Sequence, residues 1–277
     1  MSGRIVVRIL CVFALVAVCT AGFLPGAALA KDSPRPVPQP QPEKYSELSA
    51  KWWQWALAQR VSENPLLDST GAFCGVGQSG QVWFLAGALG SDPIERTCTV
   101  PAGQRFFFPV INSVYVGFQS DPADTVEKAR AGAAAYLDEY LPLPNHKLAV
   151  QIDEFALSDA ELRAGYRVYG NDDTQAMYSP IFGVALPLDP ADNIFGFDPT
   201  VFCSAEGVCW PSANDGIYVL THPLAVGKHT IKFTATDAID VTVHLIVVPG
   251  KADRVGVAAG TMSADGQTKL YLPAVQQ

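Results

Sequence analysis

The chain has 277 residues, 49% hydrophobic and 17% charged, which excludes an intrinsically disordered protein and supplies apolar surface for a sizeable core. Its 27 acidic against 19 basic residues give a net charge of −8, so nucleic acid and anionic lipid headgroups are repelled as partners.

The first thirty residues read as a secretory leader. Arg4 and Arg8 supply the positive start, Ile9 to Val18 the apolar stretch, and Ala28-Leu29-Ala30 a small-residue cleavage site before Lys31. An uncleaved anchor fits less well because Pro25-Gly26 interrupts the apolar run, and lipidation less well because Val18 precedes Cys19. Cleavage leaves 247 residues, no further membrane-spanning segment, and a net charge of −10 once both leader arginines are gone. The expected location is periplasmic or extracellular.

Four cysteines remain after the leader: Cys74, Cys98, Cys203 and Cys209. An even count in an oxidising compartment reads as two disulfides with three possible connectivities, of which proximity favours Cys74–Cys98 and Cys203–Cys209. The second pair encloses Ser204-Ala-Glu-Gly-Val208, with Gly207 available for the turn. A zinc site fits poorly, since there is no C-x2-C pair and no histidine beside either pair.

Residues 31–43 form a Pro-rich linker with prolines at alternate positions, expected to be a stiff spacer. A helix follows from about Tyr45 to Arg60. Tyr45, Leu48, Trp52, Trp55 and Ala56 share one stripe, with Glu47, Lys51 and Gln54 opposite. Trp53 and Leu57 widen the apolar arc, so the helix is expected to contact two surfaces; Gln59 projects onto the stripe and marks its end. Trp52 and Trp55 read as core. Core is the preferred reading for all three tryptophans; Trp53 alone is a candidate for exposure, and so the candidate ligand-binding residue.

Beyond a turn-rich stretch from Asn64 to Gly71, strand-like runs cover Val82 to Ala86, Cys98 to Val100 and Arg105 to Ile111, the last two separated by a turn at Pro101 to Gln104. Their continuous apolar character suits strands covered on both faces. A second helix is expected with Asp121 as N-cap, Pro122 at its first position, Asp124 near its positive end, and a buried stripe of Val126, Ala129, Ala133, Leu137 and Tyr140. Ser158 to Glu161 offers a capping box for a further helical turn. Strands return at Ile217 to Thr221, Lys228 to Ala235 and Val241 to Val248. The apolar faces of the last two coincide if Phe233 lies opposite Val243, with Thr236 to Asp240 as the loop. Together these elements predict a mainly β fold, a jelly-roll or immunoglobulin-like β-sandwich over residues 44–250 with two packed helices and disulfide staples. Residues 251–277 form a Gly- and Ala-rich tail with the composition of a loose last hairpin.

Tests for chemistry return little. His222, His229 and His244 are close in sequence, but the hairpin places His229 on the core face and His244 on the other, across from Lys232, so they cannot share a metal ion. His222, at a strand end, is the one histidine placed like a site residue. Gly77-Gln-Ser-Gly-Gln81 lacks the last glycine of a nucleophile elbow, and the chain has no zincin, P-loop or dinucleotide motif. Loop carboxylates remain, with Asp153, Asp189 and Asp198 as catalytic candidates for a two-carboxylate glycosidase. Asp189, Asp192 and Asp198 also offer oxygen ligands for a structural calcium, without EF-hand spacing, and Asx-turns are the preferred reading there. No cofactor is expected.

One set of strings is distinctive: Trp52-Trp-Gln-Trp55, Cys74-Gly-Val-Gly-Gln-Ser-Gly80, Arg96-Thr-Cys98-Thr-Val-Pro-Ala-Gly103, Asp192-Asn-Ile-Phe-Gly196 and Pro223-Leu-Ala-Val-Gly-Lys-His-Thr-Ile231. It resembles an uncharacterised family of secreted, exported bacterial proteins across most of residues 44 to 248. The resemblance implies export and one domain, and carries no catalytic residue. With no catalytic motif, binding is preferred to catalysis. The expected function is an exported binding or surface-associated module whose ligand is a glycan or another extracytoplasmic protein. The alternative is a secreted carbohydrate-active hydrolase or lyase.

Overall fold

The computed structural model describes residues 36–250; the leader, the start of the Pro-rich linker and the C-terminal tail lie outside the described residues. The chain is mostly β, with two mixed sheets, four helices and two disulfides among the described residues. Strands β1 (Val82–Phe84), β3 (Arg105–Val116), β8 (Val208–Leu220) and β6 (Arg167–Val168) form the first sheet in that order, with β7 (Phe182–Ala185) also paired to β8. Strands β2 (Ile94–Pro101), β10 (Ile239–Val248), β9 (Gly227–Ala235), β4 (Leu148–Ile152) and β5 (Phe155–Leu157) form the second. Each sheet carries one parallel pair, β1 with β3 and β2 with β10. The turn after β2 therefore passes the chain from one sheet to the other.

The run Phe106-Phe-Phe108 explains the layering. Phe107 stacks on Tyr218 and meets Tyr45 of helix α1 (Pro42–Leu57), while Phe108 stacks on Phe233 of the second sheet at 4.9 Å. Alternate residues of β3 thus face a helix layer and a second sheet, so the strand is apolar throughout. Helix α2 (Val126–Tyr140) covers β3 and β8 with Ala129, Ala133 and Leu137, all fully buried. Helices α3 (Asp159–Gly165) and α4 (Pro199–Phe202) are short. Ser158 caps α3 with the full reciprocal box to Glu161.

Several local expectations are corrected. Helix α1 is buried on nearly every side: Gln54 is not on a solvent face but donates to Gly183 O, because the stretch around β7 closes over it. The helix ends at Leu57, and Gln59 folds back to donate to Trp55 O. Helix α2 starts four residues later than expected. Thr125 is its N-cap, accepting from Lys128 N, because Asp121 is spent on a turn with Ala123 N and Asp124 on Tyr115 and Phe118. The end of the Pro-rich segment lies on the domain, with Val37 buried and Pro36 O accepting from His222 N.

The β9–β10 hairpin keeps the expected faces but moves by two residues: Phe233 lies opposite Val241, and Thr236 to Ala238 form a three-residue loop. A two-residue slip preserves alternation, so face pattern alone cannot distinguish the registers. Asp237 decides it by adopting φ 59°, a left-handed conformation that Asp tolerates. His244 consequently faces Thr230 and not Lys232.

Both disulfides have the expected pairing, Cys74–Cys98 and Cys203–Cys209. They fit an oxidising, extracytoplasmic compartment. Among the described residues no helix is long and apolar enough to cross a membrane.

Candidate functional site

A cleft of about 370 Å³ lies where Trp52 and Trp53 of α1 meet β3 and the β9–β10 loop. Its floor is Trp52, Trp53 and Ile111, its walls the 87–91 segment and Ile239, and its rim Tyr136 and Asp237. Small-molecule sites are commonly about 300–1,000 Å³, apolar, with a few convergent polar groups.

Each lining side chain is fixed by its own element. Trp52 donates from Nε1 to Leu85 O at 2.9 Å and stands edge-on to Trp53, ring centroids 5.0 Å apart. Trp53, the candidate for exposure, is only 8% exposed, and its Nε1 donates to the Tyr218 hydroxyl at 3.2 Å. Asn112 projects from β3 with its Nδ2 3.5 Å from the same hydroxyl. Among the described residues nothing donates to Asn112 Oδ1, which leaves an acceptor for a ligand. Tyr136 presents an exposed ring on α2, stacked toward Tyr140, and partial burial raises its hydroxyl pKa. Asp237 is the one carboxylate among the lining residues.

Beneath the cleft runs a buried polar strip along β8. Tyr218 is fully buried, and burial holds its hydroxyl far above the ordinary phenol range, so it remains a neutral donor and gives its proton to Asn214 Oδ1. Asn214 Nδ2 donates to Ser179 Oγ, which donates on to Pro180 O. Asp215, also fully buried, receives two bonds from Arg167 at 2.9 Å and one from Gly170 N. Burial pushes the Asp215 carboxyl up, against the pull of these donors. Burial works against the Arg167 charge as well, but Asp215 and Asp138 outweigh it and raise its pKa. Gly216 lets the strands close at this point: a Cβ there would lie 2.7 Å from Asn112 Cβ and 2.6 Å from the Tyr218 ring.

The sequence candidates fall in different places. Trp53 lines the cleft; Asp153, Asp189, Asp198 and His222 do not. Asp153 occupies the β4–β5 turn with φ 51°, accepting from Thr230 N and pairing with His229 Nδ1 at 2.7 Å. The other His229 nitrogen, Nε2, faces Ala225 O at 2.8 Å, so both ring nitrogens face acceptors. That arrangement favours the imidazolium: burial lowers the His229 pKa, but Asp153 and Ala225 together raise it above its ordinary value. With Nε2 tied to a carbonyl, this pair is not free to act as a general base. His229 lies at the half-buried end of the core face.

Asp189 and Asp198 accept main-chain N–H bonds from Ala191 and Thr200, as Asx-turns do, and Asp192 pairs with Arg60. His222 is exposed at the chain's entry to β9. Among the described residues no group of three or more His, Cys, Asp or Glu side chains gathers as a metal site would.

Sequence reasoning passed over Asn112, Tyr136 and Asp237. The usable signal was Asn112, a polar residue directly after the apolar run of β3. No family model, curated protein or solved structure matches the chain.

Proposed function

We propose that the chain is an exported binding module, sent across the membrane by its N-terminal leader, whose cleft on a β-sandwich scaffold takes a small glycan. The observation carrying this reading is the cleft itself, about 370 Å³ with Trp53 in its floor, the unpaired Asn112 Oδ1, and Tyr136 and Asp237 at the rim. Apolar sugar faces pack on aromatic rings while hydroxyls seek such acceptors. Asp237 as sole charge favours a neutral or cationic sugar over an acidic one.

Glycoside hydrolysis uses two flanking carboxylates, and this lining supplies one, so binding is preferred to the hydrolase reading. The test is a glycan array followed by calorimetry. Binding is expected in the unaltered chain, with a loss of roughly tenfold in Asn112→Ala and near-complete loss in Ala238→Trp, which fills the cleft. Binding that both variants retain contradicts the proposal, and release of a cleaved product restores the enzyme reading.

A further inference from the structure

A second exposed face, built from other elements than the cleft, is apolar and held rigid. Leu188, Phe195, Val201, Phe202 and Trp210 are all at least 36% exposed, and Val201 reaches 61%. Phe195 and Phe202 belong to one aromatic cluster with Phe118 and Phe197. Phe118 and Phe197 support Phe202 from beneath with centroids 5.3–5.6 Å apart, and Phe195 stacks on Phe197. Leu188 covers Gly207, and the Gly117 N to Pro211 O bond ties the strand just after Trp210 to the segment that carries Phe118.

The loop is pre-organised. The Cys203–Cys209 disulfide closes it, and Asn193 makes five bonds inside it, from Nδ2 to the carbonyls of Pro187, Asp189 and Phe197 and at Oδ1 from Phe195 N and Gly196 N. Phe202 O accepts from both the main chain and the hydroxyl of Ser120. Rigid, contiguous, exposed aromatic surface is characteristic of an interface anchor, because little ordering entropy is lost on docking.

Charge then selects the occupant. Residues 186–210 contain Asp189, Asp192, Asp198 and Glu206 and no lysine or arginine. Arg60 reaches Asp192, and Lys128 pairs with the neighbouring Asp124; among the described residues the other three acids of the loop have no basic partner. A second copy would set acid against acid, and an anionic bilayer would be repelled likewise. We propose that this face docks a polypeptide whose contact segment presents apolar side chains flanked by Lys or Arg.

The test uses the exported chain and three synthetic peptides that share one apolar core and differ in Lys, Ser or Glu flanks, read by fluorescence anisotropy. The Lys-flanked peptide should bind. Val201→Ser with Phe202→Ser should weaken it about tenfold or more, and Asp198→Asn with Glu206→Gln several-fold at low salt. The second difference should shrink in about 1 M salt, where the Debye length is roughly 3 Å. Near-UV circular dichroism checks folding, and Val201→Ser alone replaces the double variant if that variant misfolds. Glycan binding in these variants should be unchanged, which separates this face from the cleft. The proposal is overturned by no binding of the Lys-flanked peptide, by equal binding of the Glu-flanked one, or by variants that bind as the parent does. Self-association without peptide, or adsorption to phosphatidylglycerol vesicles, likewise replaces it with another occupant.

Discussion

Replacing Arg167 by Met tests the energetics of the buried strip under the cleft. Asp215 has no exposed surface, and Arg167 supplies two of its three hydrogen bonds. The variant keeps an unbranched apolar stem but removes the guanidinium, leaving the buried carboxyl with only Gly170 N. Breaking a buried pair from one side costs about 3–5 kcal/mol, since the remaining charge is neither solvated nor compensated. For a domain of this size that corresponds to a fall of roughly 6–20 °C in melting temperature. Arg167→Met with Asp215→Asn removes both charges, and its cost should fall well below the sum of the two single variants. Urea unfolding followed by tryptophan fluorescence measures all four corners of this cycle. A loss below about 1 kcal/mol in Arg167→Met, or strict additivity in the double variant, refutes the reasoning.

Three further outcomes follow from the fold. Gly71→Ala should destabilise the chain by about 1–3 kcal/mol from backbone strain alone, because Gly71 sits at φ 93°, and by more because a Cβ there lies 2.3 Å from Thr97 O; urea midpoints measure it. Removing Cys74–Cys98 should cost about 3 kcal/mol and Cys203–Cys209 about 2, since the sequence separations are 24 and 6, so paired Cys→Ser variants should melt in that order. His229 has a folded pKa above its ordinary 6.5, so its contact with Asp153 stabilises fully below that value and fades as pH rises through the folded one. The stability gap between the parent and Asp153→Asn should therefore be widest in mildly acidic buffer and close in alkaline buffer, as thermal melts across pH would show.

The elements legible in the sequence were those whose own periodicity determines their environment. The stripe of α1, the alternation of β9 and β10, the continuous Phe run of β3 and the Ser158 capping box all reflect local chemistry. The N-terminal part of β8 was not legible. Ser212-Ala-Asn-Asp-Gly216 has turn composition, yet it forms the buried centre of a sheet: Ser179 and Arg167, distant in sequence, and Tyr218 on the same strand satisfy Asn214 and Asp215. The N-cap of α2 was misplaced because Asp121 is held in a turn with Ala123 N and Asp124 by Tyr115 and Phe118, so Thr125 takes the capping role. The cleft was legible at one residue only. Trp53 was singled out for its place on α1, whereas Asn112, Tyr136 and Asp237 join it through tertiary packing that no local pattern records.

The most direct test of the binding reading is the indole N–H spectrum of the chain during titration with the strongest glycan on the array. Five tryptophans give five resolvable probes, and the Trp53 Nε1–H lies at the cleft floor on the Tyr218 hydroxyl. The Trp53 signal should shift saturably with the glycan and stay unmoved in Asn112→Ala at the same concentration. A Trp53 signal that never moves, or a response confined to Trp210 outside the cleft, contradicts the account.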